Sequence, residues 1–153
     1  MRLGRRHAMR GTVALLALPW TAVLAGTAEA GMTEADLMAA IRERIGDAPI
    51  IDGGVELRLP GTAENGAQVP LIVIADSPMT VTDYVAAIHL FATRNPTPGI
   101  ASFHLSPALA RAEVQTRIRI AEEQTVIALA VHADGQVRRA VVSLKVTTGG
   151  CLA

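Results

Sequence analysis

From Val55 onward the apolar residues of this chain recur at every second position, and that period of two limits the possible fold more than any other feature. Val55, Leu57 and Leu59 alternate with Glu56 and Arg58, and Val114, Thr116, Ile118 and Ile120 alternate with Gln115, Arg117 and Arg119. Successive side chains of a strand point to opposite faces, so this spacing describes strands with one face on a core and one in water. Further strands are expected at 69–75, 84–92, 100–105, 125–133 and 137–147. Turn-forming residues at 61–66, Ser77-Pro78, 95–99, Ser106-Pro107 and Asp134-Gly135 separate them. Asp134-Gly135, set between two strong strands, predicts a hairpin.

Seven short strands with no helix between them exclude a parallel sheet, whose crossovers need helices, and predict an all-β antiparallel sandwich of immunoglobulin-like architecture. The disulfide and core Trp of antibody domains are missing, so the term describes architecture alone. One helix precedes the strands. Thr33-Glu34-Ala35-Asp36 has the form of a helix start, Leu37, Ala40, Ile41 and Ile45 follow at helical spacing, and Gly46 can end it. The 153 residues suit one ordinary domain, and no internal repeat is visible.

Residues 1–30 read as an address. Arg2, Arg5, Arg6 and Arg10 form a basic region, 11–26 is apolar and small, and Ala28-Glu29-Ala30 fits a small-x-small cleavage site before Gly31. Arg5-Arg6 matches a twin-arginine signal, and Pro19, Thr21 and Gly26 dilute the apolar stretch as such signals often do. The expected product is a periplasmic protein cleaved near Ala30. The apolar run is too short and interrupted for a stable membrane anchor, and no Cys follows Ala25-Gly26 to make a lipoprotein.

Without those residues the chain keeps 10 basic and 13 acidic side chains, a net charge of about −3. A nucleic-acid footprint needs clustered Lys and Arg, so nucleic acid is excluded as a partner. The four aromatic residues, Trp20, Tyr84, Phe91 and Phe103, are too few for a stacking platform. His89, His104 and His132 fall in separate expected strands with no ligand at metal-binding spacing, which favours structural roles. Asp52 with Glu56, and Glu122 with Glu123, are better read as solvated carboxylates than as acid–base pairs. No phosphate loop or nucleophile elbow is present, so neither a resident cofactor nor independent catalysis is expected.

Cys151 stands apart as the single Cys of an exported chain, for which no intramolecular disulfide is possible. It follows Thr147-Thr148-Gly149-Gly150 and precedes Leu152-Ala153. Gly149 and Gly150 remove side-chain restraint just beyond a β-rich run, so residues 148–153 are expected to form an arm past the 31–147 domain. About six extended residues reach roughly 20 Å, enough to hand a thiol into a partner's channel. An idle tail or an interchain disulfide are the plainer readings. Prenylation does not fit, because Cys151 stands third rather than fourth from the end of the sequence.

These residues together resemble the SoxY family, the sulfur carrier subunits of the periplasmic sulfur-oxidation (Sox) system. The resemblance rests on Leu59-Pro60, Ala63-Glu64-Asn65-Gly66-Ala67-Gln68-Val69-Pro70, Ser77-Pro78-Met79-Thr80, Asn95-Pro96-Thr97-Pro98, Thr116-Arg117-Ile118-Arg119-Ile120 and Val146-Thr147-Thr148-Gly149-Gly150-Cys151, in that order. It implies an Ig-like sandwich paired with a SoxZ-like subunit and exported on a twin-arginine signal. It also implies that Cys151 is the covalent attachment point for sulfur, with Gly149 and Gly150 as its swivel. A c-type haem SoxAX-like enzyme would couple thiosulfate oxidatively to Cys151, and a metal-dependent SoxB-like hydrolase would release sulfate. The remaining sulfane would be oxidised by a SoxCD-like dehydrogenase or passed on. The carrier supplies the thiol and has no redox cofactor of its own.

Where the family pattern continues Gly-Gly after the Cys, this chain has Leu152-Ala153. Their Cβ atoms narrow the backbone and set an apolar group beside the thiol. The alternative is therefore a divergent SoxY-like scaffold that binds partners without productive carriage. On the carrier reading, Leu152→Gly speeds sulfur loading.

Overall fold

A computed structural model of the chain describes residues 32–148. Helix α1 spans Glu34–Ile45. Thr33 caps it reciprocally: its Oγ1 accepts from the Asp36 amide at 3.2 Å, and Asp36 Oδ2 accepts from the Thr33 amide at 2.9 Å. Such a cap contributes about 1 kcal/mol. Glu34 and Asp36 in the first turn, with Arg42 and Arg44 in the last, complement the helix dipole. Gly46 ends the helix at φ 64°, its amide donating to the Arg42 carbonyl at 2.8 Å.

Among the described residues nine strands follow, in two sheets. They are β1 (Ile50–Asp52), β2 (Val55–Arg58), β3 (Thr62–Asn65), β4 (Val69–Ala75), β5 (Val85–Ala92), β6 (Gly99–His104), β7 (Ala112–Ile118), β8 (Gln124–His132) and β9 (Val137–Thr148), with a 3-10 turn at Gly66–Gln68 between β3 and β4. The larger sheet runs β1-β9-β8-β5-β6, with β3 also on β9, and the smaller runs β2-β4-β7. Their facing sides bury Leu71, Val73, Ile88, Leu90, Val126 and Leu144. The other side of the larger sheet takes α1, whose Leu37 and Ile41 pack on Phe91, Leu129 and Val137. Covered on both sides, β5 is buried almost throughout, and its sequence shows no alternation for that reason.

All seven expected strands are present, and so is the hairpin between β8 and β9. Gly135 takes φ 86° there, and its amide donates to the His132 carbonyl at 2.9 Å. β1 and β3 lie outside the seven, and both pair with β9 in parallel. β3 occupies what reads in sequence as a turn. It has one buried side chain, Ala63, so four residues carry no alternation to read. Pro70 lies in the middle strand β4, but past the end of β2, where the strand has only β7 beside it.

Candidate functional site

β9 is longer than its neighbour β8. The β8 pairing ends at Gln124 opposite Leu144, whereas β9 continues to Thr148. Beyond that point β9 is paired by β3 instead: Thr62 faces Lys145, Ala63 faces Val146 and Asn65 faces Thr148. The Lys145 amide donates to the Gly61 carbonyl at 3.3 Å. Ala63 and Val146 set this two-stranded post on the sandwich core. β9 thus runs one residue into the stretch read from sequence as the arm.

The base of the post is tied down. Asn65 Oδ1 accepts from the Ala67 amide at 2.8 Å, which caps the 3-10 turn. The Gly66 carbonyl accepts from the Ile120 amide at 2.8 Å. Beside it lies a buried polar network in which Asn95 Nδ2 donates to the Arg119 carbonyl at 2.8 Å, and Asn95 Oδ1 accepts from the Ala121 amide at 2.9 Å and from Gln124 Nε2 at 2.8 Å. Gln124 Oε1 in turn accepts from the Arg94 amide at 2.7 Å. Two loops, 93–98 and 119–123, are fastened to the end of the sandwich where β9 finishes. Buried amides satisfied in this way hold one arrangement of the backbone.

Cys151, Gly149 and Gly150, the residues that the sequence singles out, lie outside the described residues. The structure gives the post that leads to them. Asn95 and Gln124 were not legible as a pair, being 29 residues apart; only their polarity within an apolar stretch signals them.

The remaining candidates fall elsewhere. His89 is buried under α1, its Nδ1 2.8 Å from Ser102 Oγ and its ring edge-on to His104 at 6.3 Å. Burial first, then the nearby His104 and Arg44, lower its pKa from 6.5. His132 lies on the other side of β5, its buried Nε2 without a partner among the described residues. Asp52 and Glu56 do not meet as a carboxylate pair. Arg139 donates to both oxygens of Asp52 at 2.6 and 3.1 Å, and Arg58 does the same to Glu56 at 2.6 and 2.9 Å. These hydrogen bonds lower the pKa of each exposed carboxyl. Among the described residues, no three His, Cys, Asp or Glu side chains gather as a metal site.

The family model described as "Sulfur oxidation protein SoxY" matches residues 41–151. Among solved structures, the sulfur carrier protein SoxY from Chlorobium limicola f thiosulfatophilum is 31% identical with a TM-score of 0.63, covering 75% of this chain and 99% of that one. A superoxide reductase (neelaredoxin) from Ignicoccus hospitalis shares the fold at 14% identity and TM-score 0.55, covering 61% of this chain and 80% of that one. A putative superoxide reductase from Thermotoga maritima does so at 14% and 0.56, over 65% of this chain and 93% of that one. No curated protein matches the chain.

Proposed function

The chain belongs to the SoxY family of sulfur oxidation proteins, with a sulfur-carrier role, and on that premise we propose that Cys151 is its covalent attachment point. The observation that carries this reading is the extent of the family match, which runs from within α1 to Cys151 itself.

The chemistry asks little of the carrier beyond a thiolate, the nucleophilic form of a Cys. The Cys151 thiolate joins the outer sulfur of thiosulfate, forming one S–S bond and giving two electrons to a c-type haem SoxAX-like enzyme. The product is a Cys-bound thiosulfonate. A SoxB-like hydrolase then uses one water to cleave the bond between that sulfane and the sulfonate. Sulfate and two protons leave, and a persulfide remains on Cys151. A SoxCD-like dehydrogenase oxidises that sulfane, or it is passed on. The electrons released from sulfur on Cys151 pass to redox centres of the partners, so the carrier needs no cofactor of its own and is the covalent substrate of other enzymes.

The post formed by β3 and β9 supports this reading, because an arm is best aimed from a fixed root. Gly149 and Gly150 add no Cβ restraint beyond it, which suits a swivel between partner channels. A SoxZ-like subunit is the constitutive partner in this reading. Residues 1–30 deliver the chain to the periplasm by the twin-arginine route.

A second reading rests on Leu152-Ala153 in place of the family's glycines: a scaffold that binds partners and carries nothing. Cys151→Ser separates the two. A carrier loses thiosulfate-dependent turnover and keeps partner binding, whereas a scaffold keeps both.

A further inference from the structure

The outer face of the smaller sheet has no helix over it among the described residues, in contrast to the larger sheet under α1. Along its middle strand, Pro70, Ile72 and Ile74 form an apolar strip that is exposed or half-buried. A groove of about 600 Å³ runs over this strip between Arg58 and Arg117, and a second of about 390 Å³ lies on the far side of β7, against Arg117 and Arg119.

The charges on this face do not cancel. Arg58 binds Glu56, and Arg111 lies 3.9 Å from Glu113, so each of these carboxylates has its cation. Arg117 and Arg119, both exposed, have no carboxylate within 4.0 Å among the described residues. The face thus carries a surplus of two positive charges on a domain whose net charge is about −3. An apolar centre with a charged rim is the usual composition of a transient protein interface.

Its position matters as much. Ile118 faces Val69 across β4 and β7, the Ile120 amide binds the Gly66 carbonyl, and Asn65 just before that turn faces Thr148. The basic end of the face therefore adjoins the root of the arm.

We infer that the face formed by Pro70, Ile72, Arg117 and Arg119 is the docking surface for an enzyme that acts on the arm, one with acidic side chains around an apolar centre beside its active-site channel. This rests on the carrier reading above. Charge complementarity at the rim steers encounter and fixes orientation, and the apolar strip sets how long the complex lasts.

The test is the association kinetics of the full chain with the SoxB-like hydrolase, at low and high salt. Arg117→Glu/Arg119→Glu lowers the association rate by about tenfold at low salt and flattens its salt dependence, as reversal of rim charges does. The same reversal on α1, Arg42→Glu/Arg44→Glu, leaves both unchanged. Association of the first variant at the wild-type rate overturns the inference. So does loss of a SoxZ-like subunit, with hydrolase binding intact, because the face then belongs to the constitutive partner. Sulfur adducts on Cys151 are followed in the same preparations. If they form while charge reversal has no effect, only the docking surface falls; if Cys151 stays bare in cells oxidising thiosulfate, the carrier reading falls and the inference with it.

Discussion

Gln124 Nε2 donates to Asn95 Oδ1 at 2.8 Å, and the two residues, 5% and 7% exposed, join loops that the chain reaches 29 residues apart. The Asn95 side chain answers three polar groups, the Arg119 carbonyl, the Ala121 amide and the Gln124 side-chain amide, and Gln124 Oε1 in turn accepts from the Arg94 amide. The loop holding Asn95 and the loop leading from Arg119 into β8 are thereby fixed beside the root of the arm.

Asn95→Leu keeps the volume and strips these partners. Buried donors and acceptors left unpaired cost about 1–3 kcal/mol each, so the variant is expected to lose about 2–4 kcal/mol, with some groups recovering water. Urea unfolding checks this. A loss under 1 kcal/mol would mean that the loops hold without the network.

His89 supplies a pH dependence. Its pKa is lowered by burial first, then by His104 and Arg44, so the unfolded chain binds a proton at a higher pH than the folded one. Stability therefore falls as pH drops below about 6.5, the unfolded value, and levels off below the folded pKa. His89→Gln, which can still bond Ser102, is expected to flatten this slope between pH 7 and pH 5 in denaturant titrations. An unchanged slope would assign the pH dependence to other groups.

The post predicts a local effect. Lys145→Pro removes the amide that donates to the Gly61 carbonyl, and proline cannot serve a ladder inside a strand. Hydrogen exchange is expected to speed up at least tenfold at residues 146–148 and in β3, with the β8–β9 hairpin still protected, an opening typical of a local unit. Equal loosening of the hairpin would show that the post is not a separate unit.

The sequence made the sandwich legible where one face of a strand is wet. β2, β4 and β7 alternate, and the Thr33 cap and Gly46 stop mark α1 on both sides. β1 and β3 escaped because three or four residues with one apolar contact leave no period, and their place beside β9 is a long-range parallel pairing. Cys151 stands out in the sequence as a lone thiol after two glycines, and its attachment role comes from the family resemblance. The root that would aim it was not, because it depends on Asn65 meeting Thr148 across 83 residues of chain. The unbalanced Arg117 and Arg119 were visible as polar positions alternating with Ile118 and Ile120, but their surplus became clear only once Glu56 and Glu113 were seen to be paired.

Carriage of sulfur on Cys151 is tested by the intact mass of the protein recovered from its own periplasm during growth on thiosulfate. The spectrum is taken before and after reductant, the C-terminal peptide is mapped, and Cys151→Ser is run in parallel. Reductant-labile sulfur adducts on Cys151, absent from the variant, are the expected result. A bare thiol, or only a disulfide-linked homodimer, in cells that are oxidising thiosulfate would contradict it.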